Sequence, residues 1–303
     1  MRPLVSVCIP AYAQVEYLRK TLDSIACQDF DNYELIVSDD SPDGAVENLL
    51  RAYSFRDKLR YWRNPQRCGS PKNWNVAVAQ ARGEYIKVMH HDDWFVSPRS
   101  LREYVKLLDD NPVADFAFSG AIGVSAVSGR TWHHKIARRD GARLRAEPTS
   151  LFYGNLIGPP SGTIYRCSLP VTYDERFTWV VDIDFYIHAL LSAGEIAFTD
   201  APLIASISAA AHQVTGKCAG NREIEVYEYF SLFEKIRPHM PPKRRSAYVR
   251  CLERLVIRHR LHSINEVREC GYRGEIPPEI SRLLNWMEKS ERLAVAGWHL
   301  GLL

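Results

Sequence analysis

The chain has 303 residues, of which 46% are hydrophobic and 25% charged, a composition that excludes a disordered, collagen-like or coiled-coil protein and is sufficient for a sizeable core. The net charge of +3 is too small to indicate a nucleic-acid partner. Seven cysteines without a C-x-x-C pair, no visible signal peptide and no apolar stretch of membrane-spanning length predict a cytoplasmic protein with reduced thiols.

The first hundred residues alternate strand-like and helix-like segments. Nearly continuous apolar runs over residues 4–10, 33–37 and 85–89 predict strands of a parallel sheet that is covered on both faces. A shorter strand is predicted over residues 59–62, and helical spacing separates the runs, for example over residues 18–25 and 73–81. We therefore predict a doubly wound α/β layer, in which ligands bind beyond the carboxyl ends of the strands.

The second half continues with predicted strands over residues 115–124, 163–165, 196–198 and 203–207 and a helix over residues 182–191. Residues 128–148 carry arginines and histidines with little periodicity, which predicts a long, mobile, basic loop able to close over a ligand. Beyond Asn221 the pattern is helical. We predict a domain over residues 1–220, with halves 1–110 and 111–220, followed by a helical region over residues 221–303.

Two acidic clusters follow predicted strands. Residues 90–93, His-His-Asp-Asp, contain carboxylates that can hold Mg²⁺ or Mn²⁺, which would neutralise a diphosphate leaving group. A helix N-cap, a solvated turn and a two-histidine, two-aspartate hydrolase site are the alternatives. Four adjacent residues cannot easily bind one ion, because an extended chain alternates its faces. His212 is a further candidate ligand, although a lone histidine is more often structural.

Asp39 and Asp40 form the second cluster. They can accept hydrogen bonds from ribose hydroxyls or a base, or form an Asx turn. Arg67 and Lys72 flank a Gly-Ser-Pro sequence before a predicted helix, so they face either an anion or the solvent. The spacing is not that of a P-loop.

Two further acids, Asp182 and Asp184, open a predicted helix after the apolar and aromatic residues 177–181. Apolar surroundings raise the pKa of a carboxyl group and so suit a general base. Favourable placement of acids at a helix N-terminus is the alternative reading.

Taken in order, these motifs resemble the family 2 glycosyltransferases, which have the GT-A fold. Residues 5–12 resemble the opening V-S-V-I-I-P-x-Y-N motif, with Ala13 in place of its Asn. Residues 34–43 resemble E-I-I-V-V-D-D-G-S-x-D without the Gly, and residues 81–86 resemble A-x-G-E-Y-I. Asn64, Gly69 and Asn73 resemble the N-x-G-x-x-x-A-x-N stretch between them. Residues 90–93 fall on D-x-D-D, with His90 in place of the first Asp. Later resemblances are residues 158–161, residues 181–182, and His212 with Thr215.

The resemblance implies an α/β fold, a GT-A-type doubly wound, mostly parallel sheet with a C-terminal helical extension. It implies a metal-dependent inverting glycosyltransferase that moves a sugar from a nucleoside diphosphate sugar, preferably a UDP-sugar, to a hydroxyl of a saccharide or lipid-linked acceptor in cell-surface polysaccharide or glycolipid synthesis. Asp182 would be the general base, and Asp92 and His212 would hold Mn²⁺ or Mg²⁺. The expected nucleotide-sugar contacts are Pro10, Tyr12, Asp39, Asp40, Arg67, Lys72 and Asp93.

Two other classes stay open. A sugar-phosphate nucleotidyltransferase would need a Gly-rich loop after the first strand, and residues 10–14 contain no Gly. A non-catalytic binding protein of the same fold is the other alternative, because His90 replaces an acid.

The C-terminal region also carries a basic segment, residues 243–260, with apolar residues at helical spacing. It is either the solvated face of a capping helix or a surface that docks on an anionic membrane and brings the protein to a lipid-linked acceptor. Its cations are Lys243, Arg244, Arg245, Arg250, Arg254, Arg258 and Arg260.

Overall fold

A computed structural model describes the backbone of residues 2–299 and the side chains of residues 2–290. Its contacts divide the chain into two units. The first unit contains, in chain order, β1 (Val5–Ala11), α1 (Val15–Ala26), β2 (Tyr33–Asp39), α2 (Ala45–Leu50), β3 (Leu59–Arg63), α3 (Lys72–Ala79), β4 (Tyr85–Val88), β5 (Asp93–Phe95), α4 (Ser100–Asp109), β6 (Ala114–Ser125), β7 (Thr131–His134), α5 (Arg138–Ala146), β8 (Thr163–Arg166), α6 (Val181–Ser192) and β9 (Glu195–Ser208).

The strands form one sheet in the order β3-β2-β1-β4-β8-β6-β9-β5, with β7 paired to β6. β1 and β2 are buried along their whole length, because helices cover both faces of such strands. Parallel pairing joins β3, β2, β1 and β4, and also β6 and β9, whereas β5, β7 and β8 pair antiparallel to their neighbours. The predicted α/β class of GT-A type is confirmed, with a mixed sheet around its parallel part.

The register of the sheet places the chemistry at one edge. Ala11 at the end of β1 lies opposite Asp39 at the end of β2, and Met89 after β4 donates its backbone N–H to the carbonyl of Cys8. The segments that follow β1, β2 and β4 therefore leave the sheet on the same side, which is where ligands bind in α/β sheets.

The prediction of a mobile loop over residues 128–148 is wrong. Its first part forms β7, which pairs with β6 as a hairpin, and its second part forms α5. Two apolar side chains, Ile136 and Leu144, are buried and anchor the segment among its charged neighbours. Gly141 lies so close to the ring of Phe198 that a Cβ atom there would overlap it. Two anchors separated by eight positions are too sparse to produce a recognisable period in the sequence.

The second unit consists of residues 152–154, 177–180 and 214–303. Its helices are α7 (Thr215–Cys218), α8 (Arg222–Ile236), α9 (Arg245–Arg258), α10 (Ile264–Glu269) and α11 (Pro278–His299). None of the helices within residues 2–299 combines the length and apolarity needed to cross a bilayer. A helical C-terminal region is thus present, and the boundary at residue 220 stays a prediction.

Glu228 on α8 ties a short segment to the helices of the second unit. Its side chain is only 3% exposed, and its carboxylate accepts hydrogen bonds from the backbone N–H groups of Thr178, Trp179 and Val180 at 2.8, 2.8 and 2.9 Å. Burial raises the pKa of Glu228, and these three donors act in the opposite direction. One buried side chain therefore satisfies the backbone of residues 178–180.

We expect Glu228→Ala to destabilise the protein by about 2 kcal/mol or more, because each buried donor left without a partner costs about 1–3 kcal/mol. Urea unfolding followed by circular dichroism measures the change. Glu223→Ala on the same helix is the matched control, since Glu223 is exposed and contributes at most about 1 kcal/mol through the helix dipole. Equal stability of the two variants would contradict the anchoring role of Glu228.

Candidate active site

The turn after β2 is built around the carboxylate of Asp40. It accepts hydrogen bonds from the backbone N–H groups of Cys68 and Gly69 at 2.8 and 2.7 Å and from the Asn64 amide at 3.1 Å. Burial of Cys68, together with its contact to Asp40, raises the pKa of the thiol to about 11. Asp40 thus holds residues 64–69 against the end of the sheet.

Asp39, which is fully buried, has a similar internal role. Its carboxylate accepts hydrogen bonds from the backbone N–H of Ser41 at 2.9 Å and from the hydroxyl of Tyr61 at 2.8 Å. Burial and the bond to Asp39 raise the pKa of Tyr61, so the phenol remains a donor. The predicted contacts of Asp39 and Asp40 with base and ribose stay predictions.

A cavity of about 350 Å³ opens beside this turn, within the size range of small-molecule sites. The guanidinium of Arg67, one of its lining residues, lies 4.3 Å from the centre of the Tyr12 ring. Three residues predicted from the sequence, Tyr12, Asp40 and Arg67, therefore meet at one place. Lys72 is exposed at the first position of α3. The cavity is lined by Asp40, Ser41, Pro42, Arg63, Asn64, Pro65 and Arg67.

The His-His-Asp-Asp segment, residues 90–93, is held in place from two sides. The backbone N–H of His90 donates to the Ser161 hydroxyl at 2.8 Å. On the other side, the Thr21 hydroxyl contacts the backbone carbonyls of His91 and Asp93 at 2.9 and 2.7 Å. The fixed backbone orients the four side chains.

The second candidate ligand arrives from a distant part of the chain. β9 pairs with β5, placing Ser206 opposite Asp93, and the chain then continues to His212. The Nε2 atom of His212 lies 2.9 Å from an oxygen of Asp92, across 120 residues of sequence. The ring of Tyr17 packs against His212 at 4.8 Å between centroids. The structure thus brings the two predicted metal ligands together.

The electrostatics of the segment distinguish its two acids. Burial opposes ionisation of Asp92, but the hydrogen bond to His212 and the nearby imidazoles prevail and lower its pKa to about 2. Asp93 is different, because burial and the charge of Asp92 raise its pKa to about 7. Burial also lowers the pKa of His90, to about 4, and that of His91. Asp92 is therefore the acid of this segment that ionises more readily.

The residues fit a divalent cation. The Nε2 atoms of His90 and His91 are shielded from solvent and have no hydrogen-bond partner within residues 2–290. Unpartnered buried polar atoms are uncommon in native proteins and require an explanation. Neutral imidazole nitrogens beside an ionised carboxylate are a donor set that divalent metals bind.

Sequence reasoning missed Lys87, which lies on β4 and is fully buried. Its ammonium group donates to the carbonyl of Ser161 and lies 4.4 Å from the centre of the Tyr104 ring. Burial lowers the pKa of Lys87 to about 7, although the charge of Asp93 acts in the opposite direction. The available signal was a lysine inside the otherwise apolar run of residues 85–89.

On the acceptor side, Asp182 lies in the first turn of α6 and is partly accessible. Its carboxylate accepts a hydrogen bond from the Asn155 amide and another from the backbone N–H of Ile183, both at 2.8 Å. Asp184 is only 1% exposed, and one of its oxygens lies 3.3 Å from the ring of His188. The two acids of α6 therefore have different surroundings, and Asp182 is the one that solvent reaches.

Residues 155–162 connect the two parts of the site. Asn155 contacts Asp182 at one end of this segment, and Ser161 contacts His90 near the other. Between them, Gly158 adopts a φ of 98°, and a Cβ atom there would lie 3.0 Å from the ring of His134. A glycine is required by both the conformation and the close approach. Asn155 was another residue that sequence reasoning did not single out.

The sheet order and the polar edge define a GT-A-type α/β protein that carries a candidate cation site and a cavity in the same unit. The chain belongs to glycosyl transferase family 2, whose family model matches residues 6–169. An uncharacterised glycosyltransferase of Rickettsia felis is 34% identical over 222 residues, covering 67% of this chain and 34% of the relative. One from Methanocaldococcus jannaschii is 31% identical over 193 residues, covering 62% of this chain and 65% of the relative. The chain thus spans about a third of the first relative.

Solved structures share the fold. Staphylococcus aureus TarS, residues 1–349 in complex with UDP-GlcNAc, superposes with a TM-score of 0.64 at 22% identity, covering 86% of this chain and 72% of TarS. The mannosyltransferase PcManGT of Pyrobaculum calidifontis, in complex with GDP-Man and Mn²⁺, gives a TM-score of 0.57 at 17% identity, covering all of this chain and 81% of PcManGT. At these identities the likeness establishes the fold alone.

Proposed function

We propose that the protein is a metal-dependent, inverting glycosyltransferase that takes a sugar from a nucleoside diphosphate donor. The preferred donor is a UDP-sugar. The acceptor would be a hydroxyl of a saccharide or lipid-linked molecule in cell-surface polysaccharide or glycolipid synthesis. The observation that carries the proposal is the approach of His212 to Asp92 at 2.9 Å, in the same unit as the cavity at Asp40. Family membership and the nucleotide-sugar complexes of TarS and PcManGT support it.

The donor would lie between the cavity and the cation site. Tyr12, Asp39 and Asp40 would contact the base and ribose together with Pro10, and Arg67 and Lys72 would neutralise phosphate oxygens. Asp93 would lie beside the sugar diphosphate. The nucleotides bound to TarS and PcManGT have different bases, uracil and guanine. A comparison of the affinities of this protein for UDP and GDP therefore decides which base it prefers.

Asp92 and His212 would hold the Mn²⁺ or Mg²⁺ ion. Such a cation stabilises the negative charge that develops on a diphosphate leaving group. The chain contributes the ionised carboxylate of Asp92 and the turn fixed by Thr21 and Ser161, which keep the ligand atoms in position before the donor arrives.

We expect the affinity for UDP to fall by about tenfold or more when EDTA is added or in Asp92→Ala, because substitution of even the outer-shell partners of metal ligands typically costs about 10–100-fold in metal affinity. Isothermal titration calorimetry with UDP measures it. Asp110→Ala is the matched control, since Asp110 is an exposed acid at the end of α4. Unchanged UDP affinity in both EDTA and Asp92→Ala would refute the cation assignment.

Asp182 would act as the general base that removes the proton of the acceptor hydroxyl. In an inverting transfer the base faces the anomeric carbon from the side opposite the leaving diphosphate, so it is not one of the metal-binding acids. The Asn155 amide and the Ile183 N–H fix the orientation of the Asp182 carboxylate and leave it partly accessible. Asp184 is enclosed by the protein and does not meet this requirement.

We expect Asp182→Asn to keep UDP binding and to lose sugar transfer by about 10²-fold or more, the scale of general-base catalysis. Release of UDP from the donor, in the presence of an acceptor that the wild type glycosylates, measures the rate. Asp184→Asn on the same helix should lose much less. The reverse order would assign the base to Asp184, and near-normal transfer by both variants would refute the acceptor-side assignment.

We also propose a cytoplasmic location with peripheral contact at the inner face of the membrane. Exposed cations surround α9, including Lys243, Arg245, Arg250 and Arg254. The apolar side of α9 is buried within the second unit, and Arg258 pairs with Glu225. Attraction to lipid would therefore be electrostatic and would not involve insertion of this helix.

We expect the protein to float with vesicles that contain anionic phosphatidylglycerol but not with phosphatidylcholine vesicles. Binding should be lost at high salt and in the double variant Lys243→Glu, Arg245→Glu, because each basic residue near such a surface contributes about 1 kcal/mol. Substitution of the exposed Lys106 on α4 by Glu is the control. The absence of salt-sensitive binding would leave α9 as a solvated helix.

A further inference from the structure

Within residues 2–290, one ring nitrogen of His91 has a hydrogen-bond partner and the other has none. Its Nδ1 atom lies 3.3 Å from the backbone carbonyl of Pro10, an acceptor only, so Nδ1 carries the proton. The lone pair of the neutral ring is then on Nε2, which is shielded from solvent and has no partner among the described side chains and backbone. Metal-bound histidines show this arrangement, in which the second nitrogen donates to a backbone carbonyl that fixes the tautomer.

The unpartnered nitrogen lies at the pair formed by Asp92 and His212. One ligand atom from each of His91, Asp92 and His212 can be chosen so that all three lie within 4.8 Å of one another. Ligands of one metal ion lie roughly 3–4 Å apart, because metal–nitrogen and metal–oxygen bonds are about 2.0–2.2 Å long. Small side-chain adjustments therefore bring two imidazole nitrogens and one carboxylate oxygen onto a single ion.

A second group, His90, Asp92 and Asp93, also meets this distance criterion. Its acid Asp93 is already engaged by the hydroxyls of Ser161 and Ser206. The ring of His90 packs against the indole of Trp74, with 4.4 Å between centroids. In the first group the ring of His212 also packs against a neighbour, Tyr17, but no acid of this group is engaged by hydroxyl groups as Asp93 is. Nε2 of His212 already contacts Asp92, and Nε2 of His91 has no partner within residues 2–290.

We propose that His91, Asp92 and His212 form a site for a borderline transition cation, such as Co²⁺ or Zn²⁺, and bind Mg²⁺ only weakly. Imidazole nitrogens favour such cations, Mn²⁺ stands lower in the affinity series, and Mg²⁺ requires oxygen ligands. Three protein ligands leave positions open, as in catalytic rather than structural sites. The inference rests on the proposed function and refines it, since it names the class of cation and a third ligand.

The test is titration of the metal-free full chain with Co²⁺, followed by the visible absorption of the bound ion. His91→Asn is the informative variant, because the Asn amide reproduces the Nδ1 donor to Pro10 but lacks Nε2. We expect its dissociation constant for Co²⁺ to rise about tenfold or more relative to wild type. His133→Asn is the matched control, since His133 is an exposed histidine on β7, and it should bind Co²⁺ as the wild type does.

Competition measures the selectivity. Millimolar Mg²⁺ should leave Co²⁺ bound to the wild type, whereas in His91→Asp the added oxygen ligand should weaken Co²⁺ binding and let Mg²⁺ compete. His212→Gln removes a second imidazole and should also weaken Co²⁺ binding. This variant keeps the test valid if circular dichroism shows that a variant at residue 91 is unfolded. Wild-type Co²⁺ affinity in His91→Asn, or displacement of Co²⁺ by Mg²⁺ from the wild type, would overturn the proposal.

UDP titrations on the same samples separate the two proposals. Selective Co²⁺ binding without any nucleotide binding would support this site and overturn the proposed transfer function. Nucleotide binding with no preference for Co²⁺ over Mg²⁺ would overturn this inference alone.

Discussion

The contact between Asp92 and His212 is the constraint on which the candidate site depends. These residues lie 120 positions apart, and they meet because β5 pairs with β9 directly after the segment that leaves β4. The position of Asp92 relative to the rest of the site is in turn set by β1, which pairs with both β2 and β4. The sheet therefore holds together the turn at Asp40, the His-His-Asp-Asp segment and the returning histidine. A ligand atom misplaced by about 1 Å would lose much of its function, so such groups belong on rigid elements.

Burial at this edge separates the roles of neighbouring acids. Asp92 remains ionised because imidazoles surround it and one contacts it directly, whereas Asp93 is held near the protonated form by burial and by the charge of Asp92. Lys87 lies in the same interior, where burial reduces its tendency to carry charge. Two neighbouring carboxyl groups that are both buried cannot both ionise freely, because the charge of one raises the pKa of the other. The result is a single readily ionised carboxylate, that of Asp92, next to the ring of His212.

Much of the fold was predictable from local pattern. The buried runs of β1, β2 and β4 are long and apolar, and the motifs around them occur in the order of a known family, so the class followed from the sequence. The β7 hairpin and α5 were not predictable, because Ile136 and Leu144 are the only large apolar side chains buried within residues 128–148. In the site, residue types at strand ends indicated Asp40 and Asp92. That Nε2 of His91 lacks a partner among the described residues was beyond prediction, since its tautomer depends on the distance from Nδ1 to the carbonyl of Pro10.

The substitution of His90 for the first acid of the family motif changes the charge of the whole edge. In an acidic motif, several carboxylates attract a dication through charge, and hard ions such as Mg²⁺ bind well to their oxygens. Here, neutral rings occupy positions 90 and 91, and the pKa of Asp93 is raised, so Asp92 supplies most of the negative charge. Charge alone then contributes less to cation binding, and the nitrogen ligands contribute more. The exchange of an acid for an imidazole thus need not abolish a metal site. In the site we propose, the ring nitrogens of His91 and His212 would make up for the lost charge, because the contacts of these rings with Pro10 and Asp92 hold them next to the one ionised acid.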